Sequence, residues 1–126
     1  MENLEEINKL TKKITGCAIE VHRRLGPGLL ESIYEKALCI ELEHNDFNYE
    51  RQKTINVTYR NKPLGNYKID ILVENKVVLE LKSVDRHDPV FEAQLLSYMK
   101  LGNYKIGLLI NFNKDLVKNG ISRKIL

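Results

Sequence analysis

Apolar residues recur at Leu10, Ile14, Cys17, Ala18, Val21 and Leu25, the three-and-four spacing of one helix face, and predict a helix over 4–25. "LGPG" (25–28) stops it, because Gly26 suits a left-handed C-terminal position and Pro27 cannot continue the ladder. A second helix follows over about 29–44, with Leu30, Ile33, Tyr34, Ala37 and Leu38 on one side. After Phe47 the period changes to two. "YERQKTINVTYR" (49–60) alternates and reads as a strand, "NKPLG" (61–65) as a turn, and 66–73 and 76–83 as two more strands joined tightly through "ENK". Asp88 and Pro89 are an N-cap and first-turn pair that opens a helix closing at Gly102. "NYKIGLLINF" (103–112) is apolar enough to be a strand buried on both faces, and 113–126 reads as a polar, peripheral tail.

The predicted order is α-α-β-β-β-α-β. It implies an α/β (α+β) fold with a mixed, central four-stranded sheet flanked by helices. An antiparallel meander is followed by a helical crossover that brings the last strand back parallel to the third. At 126 residues the expectation is a single domain over 1–126 with a core of its own.

Composition narrows the class. The chain is 43% hydrophobic and 29% charged, which is globular rather than disordered, and no apolar run approaches a membrane span. The opening "MENLEEINKL" is acidic and polar, unlike a secretory signal, so the expected location is the cytoplasm, with no membrane partner. Cys17 and Cys39 form no CxxC pair and read as buried thiols; with His22, His44 and His87 scattered, no zinc site is expected. His22, near the buried stripe of the first helix, reads as a hydrogen-bonded, partly buried histidine. A net charge of +3 permits a polyanionic partner without demonstrating one.

The chemistry concentrates in "VVLELKS" (77–83). Glu80 and Lys82 lie two apart in an otherwise apolar strand, so they share one face. A three-residue loop at 74–76 pairs Val73 with Val77, and that register sets Asp70 opposite Glu80, on the face that carries Lys82; a two-residue loop would shift the pairing by one and separate them across the sheet faces. Facing carboxylates repel and are costly to desolvate unless a cation lies between them, and a hard dication such as Mg²⁺ prefers such oxygens. The alternative is a structural ion pair, with Lys82 neutralising Glu80 at a frayed strand end.

Asp70 followed by Glu80-Leu81-Lys82 resembles the signature of the PD-(D/E)xK nuclease superfamily. Gln94-Leu95-Leu96-Ser97-Tyr98 is similar to the QxxxY motif of its RecB-like members, and Gly28-Leu29-Leu30-Glu31-Ser32-Ile33-Tyr34 to the GxxExxY pattern of a small branch. The likeness runs from residue 22 to the end; Ile69 stands where the superfamily often has Pro. It implies a restriction-endonuclease-like core in which the first carboxylate ends or bends a strand. Asp70 and Glu80 are then metal ligands, with the Leu81 carbonyl and Glu31 completing the site, and Lys82 is the catalytic lysine. Gln94, Tyr98 and Tyr34 border the site and position substrate. The implied cofactor is Mg²⁺, with Mn²⁺ able to substitute.

Other roles stand beside these. With Gly28 as N-cap, Glu31 falls at the third helical position, where capping geometry favours Glu. Tyr34 also reads as a core aromatic with a tethered hydroxyl. Arg23, Arg24, Lys36, Lys68 and Lys100 are candidates for holding phosphates or, equally, a solvated surface. The expected function is a metal-dependent nuclease hydrolysing phosphodiester bonds, with DNA as the nucleic-acid partner. One alternative is a non-catalytic, nuclease-like module that binds nucleic acid or protein. Another is a branched-DNA resolvase working as a homodimer. An added protein partner would supply the specificity for which the chain has no separate domain.

Overall fold

Residues 3–126 are described by the computed structural model. The amphipathic stretch 4–25 is helix α1 (Leu4–Leu25), capped by the Asn3 side chain, and α2 is Glu31–His44. Strands β1 (Tyr49–Tyr59), β2 (Lys62–Val73) and β3 (Val77–Lys82) form the meander, and α3 (Pro89–Gly102) crosses to β4 (Ile106–Asn111). Asp88 caps α3 through a 3.0 Å bond from the Val90 N–H, with Pro89 in the first turn, as its sequence predicts. One sheet runs in the order β1-β2-β3-β4 and on to a fifth strand; β3 and β4 are parallel and their neighbours antiparallel. This mixed α+β arrangement is consistent with a restriction-endonuclease-like fold. No helix among the described residues is long and apolar enough to cross a membrane.

The sheet has five strands rather than the expected four. The tail forms a 3₁₀ turn (Val117–Gly120) and β5 (Ile121–Ile125), antiparallel to β4. β4 is buried along all six residues, and its outer backbone needs a partner that water cannot supply. β5 provides it and is tied down at its middle and just past its end. The Arg123 Nη1 donates to Asn8 Oδ1 at 2.6 Å, and the Leu126 N–H to the Lys105 carbonyl at 2.8 Å.

Two boundaries also differ. The turn between β1 and β2 is only Arg60-Asn61, both at positive φ (49° and 63°), so "KPLG" belongs to β2. Pro63, which has no N–H to give, is tolerated there because pairing with β3 is confined to the far end of β2, from Ile71 onward, and because the register slips beside it at Val57/Thr58. Helix α2 begins two residues later than predicted. Its N-cap is Leu30, which makes Glu31 the first helical residue and rules out the capping-box geometry.

Strand alternation builds two cores. Ile71, Val73, Val77, Leu79, Leu81, Leu108 and Ile110 face α1 and α2; Leu72, Val78 and Leu109 face Leu95 and Met99 of α3. α3 lies very close to the sheet at Gly107, where an added Cβ would stand 2.5 Å from Met99 Sδ.

Candidate active site

The alternation breaks beside Asp70. Ile69 and Ile71 are two apart on β2 and should share a face, yet Ile71 packs toward α1 and α2 while Ile69 packs toward α3. On the neighbouring strand the ladder runs Arg51↔Ile71 and Lys53↔Ile69, and Gln52 between them has a φ of +51°. The β1–β2 ribbon therefore turns its faces over at Gln52 and Asp70. β2 and β3 part at the same level: their pairing stops at Ile71↔Leu79.

Two carboxylates fill the gap. The Asp70 N–H donates to Glu80 Oε2 at 2.9 Å, and the Leu81 N–H to Asp70 Oδ2 at 2.8 Å. In an unbroken ladder Leu81 would face Ile69. Its neighbour Lys82 turns its backbone toward β4, where its carbonyl accepts from the Phe112 N–H at 2.9 Å. Successive residues face opposite neighbours, so the Leu81 carbonyl points into the β2/β3 gap without its ladder partner.

Glu80 is 8% exposed. Burial, then the adjacent Asp70 charge, pushes its pKa up to about 8, against the opposing pull of the Asp70 N–H and Lys82. Asp70 is raised as well, chiefly by burial, with Glu35 and Glu31 adding to the effect and the Leu81 N–H and Lys82 opposing it. Lys82 does not neutralise the pair by contact. Among the described residues no carboxylate lies within salt-bridge reach of it, and its ammonium lies over the Phe91 ring, 4.5 Å from the centroid. The structural ion pair considered from the sequence is not formed.

Glu31 is exposed in the first turn of α2, near enough for its charge to act on Asp70. Tyr98 on α3 is half-buried; its pKa is raised by burial and then by Glu80, Tyr67 and Asp70, which sets it in the field of both carboxylates. Gln94 is exposed one turn earlier on α3. Tyr34 is not with this group. It is fully buried against Phe112, with ring centroids 4.5 Å apart, and its hydroxyl donates to the Gly26 carbonyl (2.5 Å) and accepts from the Leu29 N–H (3.1 Å). It pins the "LGPG" loop instead of lining an opening for substrate. Arg23 and Arg24 are engaged with Glu20, and Lys36, Lys68 and Lys100 stand exposed on three different elements. His22 is buried, with Nε2 2.7 Å from the Lys114 carbonyl oxygen.

Three neighbours were not picked out from the sequence. Glu35, buried one turn after Glu31, is held by Arg51 (2.8 Å) and by the Gln52 amide (2.7 Å), and so fastens α2 to the ribbon where it turns over. The i, i+4 spacing of Glu31 and Glu35 was the available signal. Tyr67 meets Tyr98 at 5.1 Å between centroids, and Phe91 carries Lys82. The tail also reaches the site. Asn119, Gly120 and Ser122 line a cavity of about 220 Å³ that Lys82 borders.

The family model of the PD-(D/E)XK nuclease superfamily matches residues 8–124. The chain belongs to this superfamily. No curated protein and no solved structure gives a significant match. As a PD-(D/E)XK protein the chain is nuclease-like, and its superfamily typically uses divalent metals. Among the described residues no cluster of three or more His, Cys, Asp or Glu side chains is gathered for a metal ion. The donor set still fits one. Asp70 and Glu80 each give one oxygen to a backbone N–H and keep a second that accepts no hydrogen bond among the described residues, and the Leu81 carbonyl shares their gap. Two carboxylates with the balance made up by water suit Mg²⁺ better than a softer ion.

Proposed function

We propose that the protein is a metal-dependent nuclease that hydrolyses phosphodiester bonds in DNA, from the GxxExxY branch of its superfamily. The observation that carries this reading is the clasped carboxylate pair. A buried acid, Glu80, and a half-buried one, Asp70, stand side by side at a broken ladder with their pKa values raised, a costly arrangement that a dication would relieve. In this reading Asp70, Glu80 and the Leu81 carbonyl hold Mg²⁺, or Mn²⁺ in its place, and Glu31 completes the site from α2. Bound there, the cation polarises the scissile phosphate and stabilises charge that builds on its oxygens.

The chain's own residues do the remainder. Lys82, on the strand face of Glu80 and free of an ion pair, directs its ammonium at the attacking water and the phosphate, and balances negative charge in the transition state. Phe91 holds that ammonium in place while leaving its hydrogens to the substrate. Tyr98 and Gln94 border the same opening and position the strand to be cut.

A second reading, a nuclease-like module that binds without cutting, is favoured by the absence of a third clustered acid among the described residues. One experiment separates the two. Purified protein is incubated with labelled linear duplex, single-stranded and branched DNA and with RNA, in Mg²⁺, Mn²⁺ or EDTA, beside Lys82→Ala and Asp70→Asn variants. Metal-dependent cutting lost in both variants supports the nuclease. No cutting on any substrate, together with no Mn²⁺ binding by calorimetry, overturns it in favour of the module.

A further inference from the structure

The β1–β2 ribbon is longer than the fold needs. Its base packs on α3 through Ile55 and Ile69, but residues 58–68 are exposed along both faces. From Lys62 to Ile69 the strand covers about 23 Å at 3.3 Å per residue. Pairing with β3 does not extend into this part, so the two strands have only each other. Apolar and aromatic side chains stand in water there: Tyr59 is 63% exposed, Leu64 67% and Tyr67 49%.

Its charge is one-sided. Residues 51–69 contain Arg51, Lys53, Arg60, Lys62 and Lys68 and no Asp or Glu, although the whole chain carries 20 Lys and Arg against 17 Asp and Glu. Arg51 and Lys53, near the base, are paired with Glu35 and Glu50. Arg60, Lys62 and Lys68 enter no ion pair among the described residues; Arg60 lies 5.9 Å over the Tyr59 ring. An exposed two-stranded element with unpaired cations and no carboxylate has the charge complement of a polyanion, and a β-ribbon is narrow enough for the major groove of duplex DNA.

We infer that this ribbon is the protein's DNA-binding arm, with Arg60, Lys62 and Lys68 contacting backbone phosphates and Tyr67, beside Tyr98, guiding the strand toward the site. The inference rests on the nuclease reading and adds to it the grip that a net charge of +3 does not provide. The placement is direct: Lys68 and Tyr67 lie two and three residues before Asp70 on the same strand, so DNA laid along the ribbon is led to the carboxylates.

The test is equilibrium binding of a fluorescein-labelled duplex in EDTA over 50–200 mM salt. It uses wild type, the triple variant Arg60→Ala/Lys62→Ala/Lys68→Ala, and a control of equal charge change on α1, Lys9→Ala/Lys12→Ala/Lys13→Ala. Three lost phosphate contacts should flatten the slope of log K against log salt by about 2–3, and weaken binding at 50 mM salt on the order of tenfold or more. The α1 control should keep the wild-type slope. Circular dichroism of the ribbon variant checks that it stays folded, which its exposed positions predict. Equal slopes for the two triple variants would overturn the inference, as would a ribbon variant that binds normally but loses self-association by sedimentation, since the arm would then serve a second copy of the chain. Because binding is read without metal, these outcomes are separate from the cleavage assay that tests the nuclease reading.

Discussion

Glu80→Gln should make the protein more stable while abolishing its chemistry. The folded protein raises the Glu80 pKa from the ordinary 4.5 to about 8, mainly by burial and then by Asp70. Below about pH 4.5 both folded and unfolded states hold the proton, and Glu80 costs nothing. As pH rises from there to 8, the unfolded chain releases its proton and the folded chain does not, so the folded state binds more protons and stability falls with pH. Above 8 the full cost of a buried, repelled carboxylate is present. At 1.36 kcal/mol per pH unit the displacement from 4.5 to about 8 sets a ceiling on the order of 4–5 kcal/mol, and relaxation around the charge should leave roughly 2–4 kcal/mol.

Gln is close in shape and keeps an oxygen to accept the Asp70 N–H, but it never ionises, and so it escapes both the burial cost and the Asp70 repulsion that raise Glu80. The variant should therefore melt higher than wild type at pH 8.5, by about 8–16 °C at roughly 4 °C per kcal/mol for a chain of this length, and the gap should close toward pH 5. Thermal melts in EDTA from pH 5 to 9 measure it. Adding Mn²⁺ at pH 7.5 should raise the melting temperature of wild type far more than that of the variant, since a ligand stabilises by its affinity for the folded state. Parallel pH profiles for the two proteins, or a variant less stable at pH 8.5, would refute the reasoning.

Two further substitutions test the parts around the site. Tyr34→Phe removes a hydroxyl that satisfies both the Gly26 carbonyl and the Leu29 N–H; it should cost about 1–3 kcal/mol in urea denaturation while Mn²⁺ affinity and KM stay at wild-type values. A rise in KM without loss of stability would return Tyr34 to the substrate. Gly107→Ala drives a methyl group into Met99 and Leu95 and should cost about 1–3 kcal/mol by overpacking, with near-UV circular dichroism showing disturbed aromatic packing on α3; a variant of unchanged stability would show that α3 yields more easily than its contacts suggest.

Much of this architecture was legible in the sequence, because burial on both faces and strict helical spacing leave few alternatives. The continuous apolar runs of β3 and β4 and the Asp88-Pro89 helix start were each a local signal with one structural meaning, whereas the turn near 74–76 admitted two loop lengths, of which the structure has the three-residue one. The loop mattered most, since its length alone set the register that brings Asp70 opposite Glu80. What was not legible depends on distant partners. β5 is polar and short, and it is a strand only because the buried edge of β4 requires one. Tyr34 carries the same sequence signal whether its hydroxyl faces substrate or, as here, two backbone groups of a loop. "NKPLG" contains every residue of a turn, yet Arg60 and its own first residue, Asn61, both at positive φ, complete the reversal, and "KPLG" is pulled into the ribbon.

The failure of simple alternation at Asp70 is the most informative of these departures. A strict period of two would carry one face unbroken along β1 and β2, whereas the chain turns over at Gln52 and Asp70. Had it not, Ile69 would pack with Ile71 toward α2, Leu81 would regain its ladder partner, and Asp70 would have no backbone N–H of Leu81 to accept. The break costs ladder hydrogen bonds and a left-handed glutamine, and a stable sheet has no use for either. It also performs three tasks at once: it lets the carboxylates close the gap, leaves the Leu81 carbonyl facing it, and swings the basic ribbon over the α3 side, where Tyr67 meets Tyr98 beside the site. A distortion that costs the fold in several places and shapes the candidate site in each of them is what the proposed chemistry asks of this position.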